Sequence, residues 1–206
     1  MWTRDGGRVI DAATLLRKSV EIGRVAGVSV RVDRRGLSLL LGVNCALVAL
    51  LCHLARPELP LERALPVAGV ASVLLVVSAA LHELAHLVVA RRNGQPVGGL
   101  ILSHFGACVL VEQGAVDERD LGAIARYVAA GPAVSLALWL GLGAAAELVR
   151  PFSDPAAMAL AVAAALNLAL LALNLTPVEP LDGGRLLRCA ASAWRRRGAV
   201  VEAEAA

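Results

Sequence analysis

The sequence of 206 residues predicts an all-α polytopic membrane protein. It should have about four core transmembrane helices, with a short β-hairpin or re-entrant segment between the second and third. Three observations carry this reading. Hydrophobic residues make up 58% and charged residues only 18%, with a mean hydropathy of +0.69; so much apolar surface exceeds what one small soluble core buries. The apolar residues form unbroken runs close to the ~20 residues that cross a bilayer as helix. Arginines cluster between the runs in an alternating way. Disorder is excluded, because it requires low hydrophobicity and high charge. The net charge of +3 is too small to suggest nucleic-acid binding.

The first 36 residues hold Arg4, Arg8, Arg17, Lys18, Arg24, Arg31, Arg34 and Arg35 and contain no signal-peptide core. The first run, Leu37 to Ala55, carries no formal charge and is expected to be a retained anchor. His53 near its end is expected at the interface. The second run, Leu65 to Ala90, is apolar apart from Ser72, Ser78, His82, Glu83 and His86, and Arg91 and Arg92 follow it directly. Between Gln95 and Glu112, β-branched residues and glycines around Phe105-Gly106 suggest the hairpin or re-entrant segment, with His104 as a loop histidine. Irregular backbone at that depth is tolerated only against protein or a water cavity. Tyr127 to Leu148 and Ala156 to Leu175 form the third and fourth runs, and Arg185, Arg188 and Arg195 to Arg197 come after them. By the positive-inside rule the N-terminus, the second loop and the C-terminus are cytoplasmic. The chain thus divides into an N-terminal segment (1–36), a membrane core (37–190) and a short tail (191–206). Cys45, Cys52, Cys108 and Cys189 show no CxxC pairing, and a disulfide framework is not expected.

Ionisable groups within a membrane are expensive and mark function. The second run contains His82-Glu83-Leu84-Ala85-His86, the HExxH pattern. On a helix, residues i and i+4 lie about 40° apart and about 6 Å along the axis, so both imidazoles share one face and can chelate one Zn²⁺. Glu83, on the adjoining flank, can reach a water rather than the metal, which suits a catalytic general base. A catalytic zinc site needs a third protein ligand. Asp182, on the Leu181-Asp182-Gly183-Gly184 turn after Pro177 and Pro180, would reach the same cytoplasmic end of the bundle. By spacing alone it is equally well read as the N-cap of a helix over Gly184–Trp194.

HELAH in a membrane helix, Gly131-Pro132 in the next span and NLTPVEPLDGGR after the fourth together resemble the site-2 protease family of intramembrane zinc metalloproteases. The segment from Ile22 to Val32 resembles the stretch before the first span in the compact bacterial and archaeal branch, which lacks PDZ and CBS domains. The resemblance runs from about residue 20 to 190. It implies one zinc ion per chain held by His82, His86 and Asp182, with Glu83 as the catalytic glutamate. It also implies Asn174 as a polar group near the site that orients substrate or stabilises an oxyanion; a helix–helix hydrogen bond is the competing reading. The implied activity is hydrolysis of a peptide bond within or near a transmembrane segment, as in regulated intramembrane proteolysis. The implied partners are the lipid bilayer and a single-span membrane protein such as an anti-sigma factor or pro-sigma factor. An inactive homologue that binds transmembrane partners, or a membrane zinc-binding or transport protein, are the alternatives.

Three features depart from the family pattern. Ser135 stands where the family often has Asn, and tuning rather than loss is expected. Glu179 lies between Pro177 and Pro180, where uncharged residues are usual; a solvated loop glutamate is the expectation. The sequence also ends where relatives usually carry further spans, as a minimal or a truncated form would.

Overall fold

The structure is a computed structural model that describes residues 19–25, 27–94, 97–103, 106–111, 120–179 and 181–204. Strands β1 (Val20–Val25) and β2 (Val28–Val32) precede helices α1 (Arg34–Ala55) and α2 (Leu61–Arg92). Strands β3 (Val97–Ser103) and β4 (Gly106–Val111) separate α2 from α3 (Leu121–Val149), and α4 (Asp154–Asn174) and α5 (Asp182–Glu204) follow. His104 and Phe105 lie outside the described residues, as does the basic segment before Ser19.

Helices α1 to α4 are each long and apolar enough to cross a membrane, and they contain the four apolar runs except for Leu175, which caps α4. Their ends follow local chemistry. Asp33 caps α1 by accepting from the Gly36 N–H at 3.3 Å, and Asp120 caps α3 by accepting from the Ala123 N–H at 2.8 Å. Ser153 caps α4, whose first turn contains Pro155. Helix α2 stops at Asn93-Gly94, where Gly94 has φ +74°, a conformation a side chain would strain. His53 Nδ1 donates to the Leu59 carbonyl at 2.8 Å and ties down the α1–α2 connection.

Alanines let the helices approach closely. Ala49, Ala64, Ala68, Ala71 and Ala163 are fully buried, and Val48, Ala49, Ala64 and Ala68 form one core cluster with Val162 and Leu166 against it. Small residues serve this purpose because lipid gives helices no hydrophobic reason to associate, so packing must. Large side chains face outward instead: Leu39, Val43, Leu47, Leu50 and Leu54 on α1 are all exposed, as a lipid-facing surface requires. Asn167 is fully buried and donates to Ser78 Oγ at 3.0 Å, bonding α4 to α2. That cross-helix role is the one weighed above for Asn174.

The hairpin expected after α2 is present as β3 and β4, paired antiparallel. It belongs to a larger sheet. The order is β1-β2-β3-β4, with β2 and β3 parallel through Val30–Leu100, Arg31–Ile101 and Val32–Leu102. The segment before the first span therefore forms a second hairpin, turning at Gly27 (φ +80°). The start of α1 and the end of α2 consequently lie at the same end of the bundle. Val28, Leu87 and Leu100 bury this sheet against α2 next to the HExxH turn.

Candidate metal centre

Three buried side chains converge between α2, α3 and the start of α5. His82 and His86 leave one face of α2, as their spacing requires. His82 Nε2 lies 3.2 Å from Asp182 Oδ2, His86 Nε2 lies 3.3 Å from the same oxygen, and the two Nε2 atoms are 3.2 Å apart. This is a nearly equilateral triangle. Ligands around tetrahedral zinc, with bonds of about 2.0–2.1 Å, stand about 3.3 Å from each other. The donor set fits: two imidazoles and a carboxylate, the three protein ligands that a catalytic zinc site takes.

The other ring nitrogens fix the orientation. His86 Nδ1 sits 2.7 Å from the Tyr127 carbonyl, which can only accept, so Nδ1 carries the proton and Nε2 presents its lone pair to the centre. His82 Nδ1 lies 2.9 Å from Ser135 Oγ, on a residue that is fully buried. Ser135 thus holds the first histidine of the motif, a contact between helices that sequence spacing does not reveal.

Glycines create the room. A Cβ on Gly131 would fall 2.7 Å from His82 Cδ2 and run into the Nε2 atoms of both His82 and His86. Gly131 in α3 is therefore where the third span passes directly over the donor triangle. A Cβ on Gly183 would collide with the Leu175 and Thr176 carbonyls, and one on Gly184 would lie 2.6 Å from Glu179 N. The two glycines press the start of α5 against the segment that ends α4, which sets the position of Asp182.

Asp182 is the first residue of α5, which runs on to Glu204 and so well beyond Trp194. Burial pushes its carboxyl toward the protonated form. When the His82 and His86 rings carry protons on Nε2, their hydrogen bonds and charge outweigh this and hold it down at about 2. Glu83 is half-buried on the adjoining flank of α2. Asn174 donates to the Leu170 carbonyl of its own helix at 3.0 Å, which commits one of its two amide hydrogens. Glu179 is half exposed and pairs with Arg188 at 3.0 Å, as the solvated-loop reading expects. Cys45, Cys52 and Cys189 are free thiols.

A helical membrane bundle with a His-His-Asp triangle between its spans defines a class, the intramembrane metalloproteins of the HExxH type. Comparisons with known proteins narrow it. Residues 146–206 match the model for peptidase family M50. Rip3 of Mycobacterium tuberculosis, whose name assigns it to the zinc metalloproteases, is 38% identical over 191 residues, covering 91% of this chain and 47% of Rip3. Zinc metalloprotease MJ0392 of Methanocaldococcus jannaschii is 34% identical over 122 residues, covering 56% of this chain and 32% of that protein. The solved site-2 protease from Methanocaldococcus jannaschii superposes with a TM-score of 0.56 at 25% identity, over 85% of this chain and 72% of that one. The chain belongs to the site-2 protease family, a family of membrane zinc metalloproteases. It spans about half the length of Rip3 and about a third of the length of MJ0392.

Proposed function

We propose that the chain is an intramembrane zinc endopeptidase that cuts a single-span membrane protein within or near its transmembrane segment. The observation that carries this reading is the triangle of His82, His86 and Asp182 with Glu83 on its flank, set among four apolar helices. His82, His86 and Asp182 would hold the ion. Zinc bound there supplies Lewis acidity, acidifying water toward a neutral pKa and polarising a peptide carbonyl.

The chain's own residues do the rest. Glu83 takes the proton from the attacking water and passes it to the leaving amine. Ser135 and the Tyr127 carbonyl keep both imidazoles turned toward the centre. Asn174 has one amide hydrogen left beyond its bond to Leu170, and this is the donor an oxyanion contact would use. A helical substrate hides its carbonyls in hydrogen bonds and must unwind to be cut. Strand β4 at the edge of the sheet offers backbone groups to which an unwound segment can pair. Both termini are cytoplasmic in this reading, which the arginine distribution and the shared end of α1, α2 and the sheet support. The product is then released toward the cytoplasm, as regulated intramembrane proteolysis of an anti-sigma factor or pro-sigma factor would require.

The test is cleavage of a candidate single-span substrate by the wild-type chain and by Glu83→Gln, with zinc measured in both. The expected result is cleavage only by the wild type, with zinc in both. Equal cleavage by the two proteins would overturn the catalytic assignment, and absence of zinc from both would overturn the metal assignment.

A further inference from the structure

Helix α5 has a second face with no partner among the described residues. Its inner face is packed: Leu186 lies against the cluster of Ala90, Tyr127 and Val128, and Cys189 Sγ donates to the Leu121 carbonyl at 3.2 Å. The Arg185 guanidinium stacks over the Tyr127 ring at 5.4 Å. Arg185 and Leu186 meet Tyr127 while Cys189 meets Leu121, so α5 leads from the metal centre toward the start of α3, where that span leaves the bilayer. At 1.5 Å per residue, Arg188 lies about 9 Å along α5 from Asp182, the same distance that separates His86 from the end of α2 at Arg92. Trp194 lies about 9 Å further on.

The outer face carries Leu187, Ala190, Ala191 and Trp194, spaced i, i+3, i+4, i+7, and all four are exposed. Leu187 is 57% exposed and Trp194 is 81% exposed. Arg188 and Arg195 flank this stripe and are exposed as well. Arg188 meets Glu179, and Arg196 and Arg197 continue the basic run. No acidic residue occurs from Arg185 through Arg197. An apolar stripe with a tryptophan, bordered by arginines and starting where the spans end, matches a helix seated in a bilayer interface.

We infer that the outer face of α5 docks on the anionic phospholipid surface of the bilayer that holds the four spans. Leu187 and Trp194 enter the headgroup layer, and the exposed Arg188 and Arg195 beside them meet lipid phosphates. Because α5 begins with Asp182, this contact ties the helix of the third donor to the membrane surface. The inference rests on the spans and on α5, not on proteolysis, and its test needs no cleavage.

The full chain, with Trp2→Phe and Trp139→Phe so that Trp194 reports alone, is reconstituted with brominated lipids. One set of vesicles is phosphatidylcholine, and in the other about a third of the lipid is phosphatidylglycerol. The expected result is stronger quenching and bluer emission of Trp194 in the anionic vesicles. The triple variant Arg195→Glu, Arg196→Glu, Arg197→Glu should abolish that difference while the helical circular dichroism stays unchanged. Equal quenching in both lipids would overturn the anionic recognition. No quenching in either would show that something other than lipid covers the face, and would overturn the docking itself. As a measurement free of substitutions, amide exchange across 187–195 of the wild-type chain should be slower in the anionic vesicles; equal rates would count against the proposal.

Discussion

Replacing Gly131 with alanine sets two effects against each other. In a helix interior, alanine is favoured over glycine by about 1 kcal/mol, so propensity alone predicts a more stable α3. The new methyl group, however, would stand 2.7 Å from His82 Cδ2 and closer to both Nε2 atoms. Ordinary contact begins near 3.4 Å, so the His82 Cδ2 atom alone must retreat by about 0.7 Å and both Nε2 atoms by more. Metal–ligand distances tolerate only about 0.2 Å. The rings can swing aside when no ion is bound, so the variant should fold. It should not bring three donors to one ion. Disturbing the groups that merely orient a ligand costs roughly 10–100-fold in affinity, and displacing the ligands themselves should cost at least about 100-fold. Zinc affinity measured by competition with a chromogenic chelator in detergent, alongside helical circular dichroism, reads both effects. Gly141→Ala in the same helix is the control, because a Cβ there meets nothing within 4 Å. Wild-type zinc affinity in Gly131→Ala would refute the claim that α3 passes directly over the donor triangle.

Ser135→Ala removes the partner of His82 Nδ1 and should lower zinc affinity roughly 10–100-fold with the fold intact; unchanged affinity would show that the contact does not orient the ring. Val109→Pro or Val111→Pro removes a backbone N–H from β4, so substrate cleavage should fall while zinc content holds. Unimpaired cleavage would rule out a clamp formed by this strand. Gly183→Ala should displace the start of α5 from the Leu175 carbonyl and so reduce zinc content, and full occupancy would contradict the role given to that turn.

The four spans were legible because a membrane helix needs only a long apolar run, and the sequence contains four. The α2 histidines were legible for the same kind of local reason, since HExxH fixes both rings on one face. The β1–β2 hairpin was not anticipated. Its first strand is short, exposed along its whole length and interrupted by Glu21, Gly23 and Arg24, so it lacks the alternation of a half-buried strand. It is organised by Val28 packing on Leu87 and by β2 pairing with β3, contacts about 60 to 70 residues apart that no local pattern encodes. Asp182 was ambiguous because a helix start and a metal ligand make the same local signature, a carboxylate before Gly-Gly. Its distances to the two histidines separate the readings. Ser135 reads in sequence as a substitution that tunes rather than abolishes function, and only the packing of α3 on α2 shows that it meets His82. Asn167 and Asn174 looked alike in sequence, yet Asn167 bonds to Ser78 across helices and Asn174 bonds back to Leu170.

The central question is whether His82, His86 and Asp182 act as one zinc site. The direct measurement is zinc content per purified chain for the wild type, His82→Ala and Asp182→Ala, with folding followed in parallel by circular dichroism. The wild type should hold about one zinc, as a site of three protein ligands with one open position does, and each variant should lose it while staying helical. Zinc retained by Asp182→Ala at wild-type occupancy and affinity would contradict the account, because the carboxylate that α5 delivers to the two histidines would then not be a ligand.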